Sequence, residues 1–232
     1  MNLARCAALL CLLAFGQAYG QASDLFFSEY IEGSSNNKAV EIYNGTGAAV
    51  DLTAGVYDVQ IFFNGSTSAG ATIALAGMLA DGDVYVVADD GSIPGILAEA
   101  DLTPTNGFFS GDDAVVLRRN GVVIDSIGQV GTDPGTEWTG GGIGTQNETL
   151  RRNANICMGD AVDNDAFDPS VEWMGFANDT IDGLGSHTAN CAAPSGPPQL
   201  LMTEVVVTPT AGEYIEIFNP NGVVVALDDV YL

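Results

Sequence analysis

The chain has 232 residues, with 30 acidic against 6 basic side chains and a formal net charge of −24. That balance excludes a phosphate-tracking surface, since nucleic-acid binding rests on lysine and arginine displacing counterions; direct nucleic-acid binding is not expected. A hydrophobic content of 47% with 29 glycines excludes a disordered polyelectrolyte and indicates a globular chain rich in turns.

Residues 1–20 read as a secretory signal peptide. Arg5 supplies the positive start, Cys6 to Phe15 the apolar run, and Ala18-Tyr19-Gly20 a small-x-small cleavage site. The apolar run is too short to span a bilayer, which takes roughly 20 residues. No later stretch is long and apolar enough either, so no transmembrane segment is expected after cleavage. The expected destination is secreted or extracellular, in the periplasm or at the cell surface. Cys157 and Cys191 are the two cysteines outside the signal, and in an oxidising compartment they are expected to form one disulfide.

From there the periodicity predicts strands. Candidate strands are Leu25–Ile31, Lys38–Tyr43, Tyr57–Phe63, Ala71–Ala76, Val84–Ala88, Ala114–Arg118 and Val122–Ile127. In Tyr57–Phe63, for instance, Tyr57, Val59, Ile61 and Phe63 alternate with Asp58, Gln60 and Phe62. Asn120-Gly121 joins the last two candidates, and this dipeptide suits a type I′ hairpin turn because both central residues need positive φ. Met78–Ala80 and Ile96–Ala100 allow at most a helical turn. Many short strands with polar turns imply a two-sheet sandwich or a barrel.

Beyond Gly128 the chain becomes irregular and rich in glycine. An acidic segment, closed by the expected disulfide, runs to Cys191, and Ala193-Pro194-Ser195-Gly196-Pro197-Pro198 reads as a stiff linker. The opening pattern then returns. Leu25-Phe26-Phe27-Ser28-Glu29 is echoed by Leu200-Leu201-Met202-Thr203-Glu204, and Val40-Glu41-Ile42-Tyr43-Asn44 by Ile215-Glu216-Ile217-Phe218-Asn219, at a constant offset. A gap-free repeat of this kind indicates modules in tandem. The expected organisation is a signal peptide at 1–20, a sandwich at 23–150 and an acidic disulfide-closed extension of the same module at 151–192. A linker at 193–199 and a truncated second repeat at 200–232 follow.

The segments Leu25 to Lys38, Val40 to Asn44, Gly111 to Leu117 and Val123 to Gly128 together resemble bacterial secreted lamin-tail domains. Such domains occur in the N-terminal parts of extracellular nucleases and in surface proteins. The tracts Asp165 to Trp173 and Asp182 to His187 are similar to the tail of such domains in large secreted proteins. The resemblance implies an all-β fold, an immunoglobulin-like β-sandwich of lamin-tail type, with an irregular disulfide-closed C-terminal extension and a truncated second copy. It also implies a non-catalytic binding or scaffolding module with an adhesion, targeting or spacer role, whose partner is an unknown protein or surface glycan. The alternative is the N-terminal accessory region of a secreted metal-dependent endonuclease, exonuclease or phosphatase whose catalytic domain lies outside this chain.

The chemistry-bearing residues give no catalytic or cofactor set. His187 is the one histidine and has no Gly-x-Ser-x-Gly elbow to serve, so it reads as structural. Gly140-Gly141-Gly142-Ile143-Gly144 lacks the Lys-Ser/Thr of a phosphate loop and reads as a turn. Asp160, Asp163, Asp165 and Asp168 form the candidate metal site. An aspartate-dense loop can offer oxygens to Ca²⁺, although the spacing is not that of an EF-hand. Glu29, Glu41, Glu204 and Glu216 recur in both copies and read as structural carboxylates on paired strands. Tyr30, Phe62, Phe63, Phe108, Phe109 and Trp138 read as core aromatics, with a sugar-binding platform as the rival reading.

Overall fold

The computed structural model describes residues 21–105, 107–191, 201–206 and 214–218. The expected signal peptide and linker lie outside these residues.

In chain order the strands are β1 (Phe26–Glu32), β2 (Lys38–Tyr43), β3 (Val50–Asp51), β4 (Tyr57–Phe62), β5 (Ala71–Ala74), β6 (Met78–Leu79) and β7 (Val84–Ala88). A helical turn, α1 (Pro94–Leu97), precedes β8 (Ala114–Arg119), β9 (Val122–Ile127), β10 (Thr139–Gly140), β11 (Ile143–Gly144) and β12 (Glu148–Arg152). A second turn, α2 (Pro169–Glu172), leads into β13 (Trp173–Ala177), and β14 (Leu201–Val206) and β15 (Tyr214–Phe218) close the series. The strands expected from alternation form within a residue or two of their expected ends. Asn120 and Gly121 both take positive φ, 49° and 77°, as the β8–β9 turn requires. Gly141 and Gly142 do the same between β10 and β11, at 57° and 88°, so the glycine-rich run is a tight hairpin.

Two antiparallel sheets make the immunoglobulin-like sandwich. One has the order β13-β12-β1-β2-β7 and the other β5-β4-β8-β9. Phe27, Tyr30, Val40 and Ile42 from the first pack with Val59, Ile61, Val115 and Leu117 from the second in one buried cluster. Each such side chain contributes roughly 1.5–3 kcal/mol by leaving water. The aromatics read as core are core: Tyr30, Phe62, Phe109 and Trp138 are buried, while Phe63 and Phe108 pack partly buried against the main cluster.

β12 and β13 are not among the strands that alternation finds. β12 lies between β1 and β13, so residue 150, the expected end of the sandwich and start of its extension within the same module, falls inside a central strand. The reason is composition: Glu-Thr-Leu-Arg-Arg reads as a polar surface run, yet Thr149, Leu150 and Arg152 are all buried.

β1 is buried along its whole length because both of its faces are covered. A bulge between Phe27 and Glu29 shifts its alternation. Tyr30 consequently joins the inner core, whereas Ile31 joins Ala39, Val86, Ala88, Ile96 and Leu184 in a separate cluster on the outer face. Glu29 pairs with Glu41 on β2 and with Arg151 on β12, which sets three charged residues in one row across the sheet.

β14 and β15 lie in a compact unit distinct from residues 20–192. They pair Leu201↔Phe218, Met202↔Ile217 and Glu204↔Glu216, with a register shift between Met202 and Glu204. The first hairpin pairs Phe26↔Tyr43, Phe27↔Ile42 and Glu29↔Glu41, with its shift between Phe27 and Glu29. Raising each of these three first-hairpin pairs by 175 (204 − 29, for example) gives the corresponding pair of the second.

Candidate functional site

Arg151 and Arg152 are neighbours on a strand and therefore point to opposite faces. Arg152 turns inward and is wholly buried with its partner Asp125. Its Nε donates to the Phe27 carbonyl (2.6 Å), its Nη2 to Asp125 (2.6 Å) and its Nη1 to Glu172 (2.5 Å). The guanidinium lies 4.3 Å from the Trp173 ring centre and 5.6 Å from that of Phe26. Asp125 accepts also from the backbone N–H groups of Phe27 (2.7 Å), Asp160 (2.8 Å) and Ser126 (2.9 Å). Burial pushes its carboxyl upward, and Arg152 with the Phe27 and Asp160 amides pulls it back. The ion pair thus ties β1, β9, β12 and the 160 loop together at the centre of the fold.

Arg151 turns outward into the row with Glu29 and Glu41. Its Nε donates to Glu29 Oε2 (3.1 Å) and its Nη2 to Asp182 (2.5 Å). Glu29 is 2% exposed, and its other oxygen, Oε1, is buried without a hydrogen-bond partner. Burial raises the Glu29 carboxyl to about 7, against the pull of Arg151 and with a further push from Glu41. Glu41 is 1% exposed and accepts from Ser28 Oγ (2.6 Å) and from the Gly185 amide (2.7 Å). Burial raises it too, while Ser28 and the Gly185 and Ser186 amides oppose the rise.

Residues 179–191 form a strap across this row. At one end Asp179 accepts from Ser34 N (2.9 Å), Ser34 Oγ (2.6 Å) and Asn37 Nδ2 (2.9 Å), and Ser34 chiefly holds its carboxyl below the usual range. In the middle, a Cβ on Gly183 would run into the Arg151 guanidinium and the Glu29 carboxylate, so only glycine lets the chain pass this close. Gly185 has φ +94°, a conformation that glycine alone adopts without strain. Between them Leu184 is buried in the outer apolar cluster.

His187 follows, edge-on to Tyr43 (5.0 Å between ring centres) and Phe26 (6.0 Å). Burial, with Arg152 nearby, lowers it to about 4, so it is a neutral packing ring near neutral pH. At the far end Asn190 N donates to the Ala154 carbonyl (2.6 Å), and Cys191 is bonded to Cys157. The expected disulfide is present and fixes the end of the strap.

Three of the four aspartates of the candidate calcium site take part in hydrogen bonds within the chain, two through the side chain and one through the backbone. Asp160 accepts from Val162 N (3.0 Å), Asp168 caps α2 by accepting from Ser170 N (2.9 Å), and the Asp163 carbonyl accepts from Val130 N (2.7 Å). Among the described residues no group of three or more His, Cys, Asp or Glu side chains is arranged to hold a metal ion. A polar groove beside Asp24 is occupied by its own pairs, since Tyr57 Oη (2.7 Å) and Arg119 Nη1 (3.1 Å) both donate to Asp24.

The site is therefore a set of carboxylates gathered by the fold, and sequence reasoning found only half of it. Glu29 and Glu41 stand out by their recurrence. Arg151, Asp182 and the two strap glycines do not, although a doublet of arginines in so acidic a chain was the available signal. No helix among the described residues is long and apolar enough to cross a membrane. No curated protein and no solved structure matches the chain. The family model described as Lamin Tail Domain, a non-catalytic immunoglobulin-like domain, matches residues 20–131, so the sandwich from β1 through β9 is similar to that family and the strap lies beyond the match.

Proposed function

We propose that the chain is a secreted, non-catalytic binding and scaffolding module, acting as an adhesion, targeting or spacer unit. The observation that carries this reading is the way its buried charges are spent. Arg152, Asp125, Glu29, Glu41 and Arg151 close on one another and on backbone groups of the same module. A reacting centre instead needs polar groups converging on a cavity open to substrate. The disulfide supports an oxidising destination, where such bonds persist. The repeated pairing of β14 with β15 supports a tandem arrangement, which suits a spacer.

The test is twofold. Purified chain with Mg²⁺ or Ca²⁺ should leave plasmid DNA and a phosphate monoester uncleaved, and it should bind saturably to a surface glycan or protein in an array of cell-envelope components. Sustained cleavage by the chain itself would overturn the reading.

A further inference from the structure

We propose that the strap over Glu29 and Glu41 is a proton-operated latch, closed when Glu29 carries a proton and opened when it loses it. The row contains more acid than base. Glu29 faces Glu41 from β2, Arg151 from β12 and Asp182 from the strap. Glu99, after α1, approaches Gly185, and His187 closes the outer face beyond it. Arg152 points to the other side of the sheet and is committed to Asp125 and Glu172. Arg151 is therefore the one cation serving the row among the described residues, and it is shared with Asp182.

Two features make the latch respond to the proton. Glu41 can stay ionised under the strap because a hydroxyl and the Gly185 amide donate to it. Glu29 has Arg151 on one oxygen and nothing on the other. An unpartnered oxygen of a neutral carboxyl is a modest burden, whereas half of a buried carboxylate left without a donor is a heavy one. Gly183 packs against the Oε2 side of the same carboxylate and against Arg151, so the strap lies directly over the pair, and lifting it would admit water to a carboxylate that is now 2% exposed.

Opening would uncover the seat of Leu184, formed by Ile31, Ala39, Val86, Ala88 and Ile96. The freed segment would stay tethered by β13 on one side and by the Cys157–Cys191 bond on the other. The raised position of Glu29, about 7, puts the transition near neutral pH. The sign follows from linkage: a carboxyl that binds its proton more tightly in the closed state favours closure at low pH and opening as pH rises.

Hydrogen exchange of the strap amides, corrected for intrinsic rates, tests this on the intact disulfide-bonded chain. Between about pH 6 and pH 8 the protection of the Gly185 amide should be lost toward the limiting slope for one linked proton, roughly tenfold per pH unit above the midpoint. Protection in the β8–β9 hairpin should not follow it. In Glu29→Gln the Gly185 protection should be flat over the same range. Asp182→Asn, a surface change, leaves Arg151 wholly to Glu29 and should move the midpoint to lower pH. Protection that stays constant in the wild type, or that falls equally in Glu29→Gln, would overturn the latch. So would an unmoved midpoint in Asp182→Asn.

Discussion

Arg151 and Arg152 are adjacent in the chain and behave as opposites. Arg152 meets Asp125 inside the sandwich, where every polar atom of that carboxylate is met and the pair is sealed from water. Arg151 meets Glu29 beneath the strap, divides itself between two acids and leaves one carboxylate oxygen unmet. The difference teaches that burial alone does not say what an ion pair does. A fully satisfied pair fixes a fold, whereas an incompletely satisfied one is free to respond to protons.

The largest effect should come from breaking the satisfied pair. Arg152→Met leaves Asp125 buried without its cation and should cost roughly 3–5 kcal/mol, read from urea unfolding. Adding Asp125→Asn should recover part of that loss, because the stranded charge is gone while one oxygen remains to accept from the Ser126 and Asp160 amides. Next comes the closure of the strap. Cys157→Ser with Cys191→Ser should cost about 3–4 kcal/mol in the chain-entropy account, with the strap amides losing protection before the sandwich does. Gly183→Ala should cost about 1–3 kcal/mol through overpacking. Gly107→Ala, where an added methyl meets open space, should stay within about 0.5 kcal/mol.

Smaller effects sharpen the contrast through pH. Glu29 rises from 4.5 to about 7 on folding, so its contribution to stability falls as pH rises through that window. His187 drops from 6.5 to about 4, so its contribution falls as pH drops through that range. The two oppose each other where the windows overlap, which predicts a plateau of stability with an alkaline shoulder near 7. Glu29→Gln should remove the shoulder, and His187→Phe should soften the acid limb. Among the ion pairs the smallest effect belongs to Arg118–Asp58 on the outer face of the other sheet, where breaking it should cost about 0.2–1 kcal/mol.

Much of the fold is legible in the sequence because period-two alternation and turn chemistry act locally. Tyr57–Phe62 and the Asn120-Gly121 hairpin need no knowledge of the rest of the chain. β12 escapes because its neighbours supply the reason for it: Arg152 is buried only in the presence of Asp125, 27 residues away, and of the Phe27 carbonyl, 125 residues away. The carboxylates Glu29 and Glu41 announce themselves by recurring, yet their environment is made by Gly183 and Gly185. Nothing local marks those two glycines among the 29 in the chain. The aspartates from 160 to 168 are dense in the sequence, and two of them, Asp160 and Asp168, accept from the backbone amides of Val162 and Ser170 in their own loops.

The most direct test of the central contrast is a carboxyl NMR titration of the wild-type chain with assigned glutamates. The account predicts that Glu29 titrates near 7, well above the ordinary glutamate value of about 4.3, and that the strap amides shift with the same midpoint. A Glu29 midpoint in the ordinary range, with strap amides indifferent to it, would contradict the account.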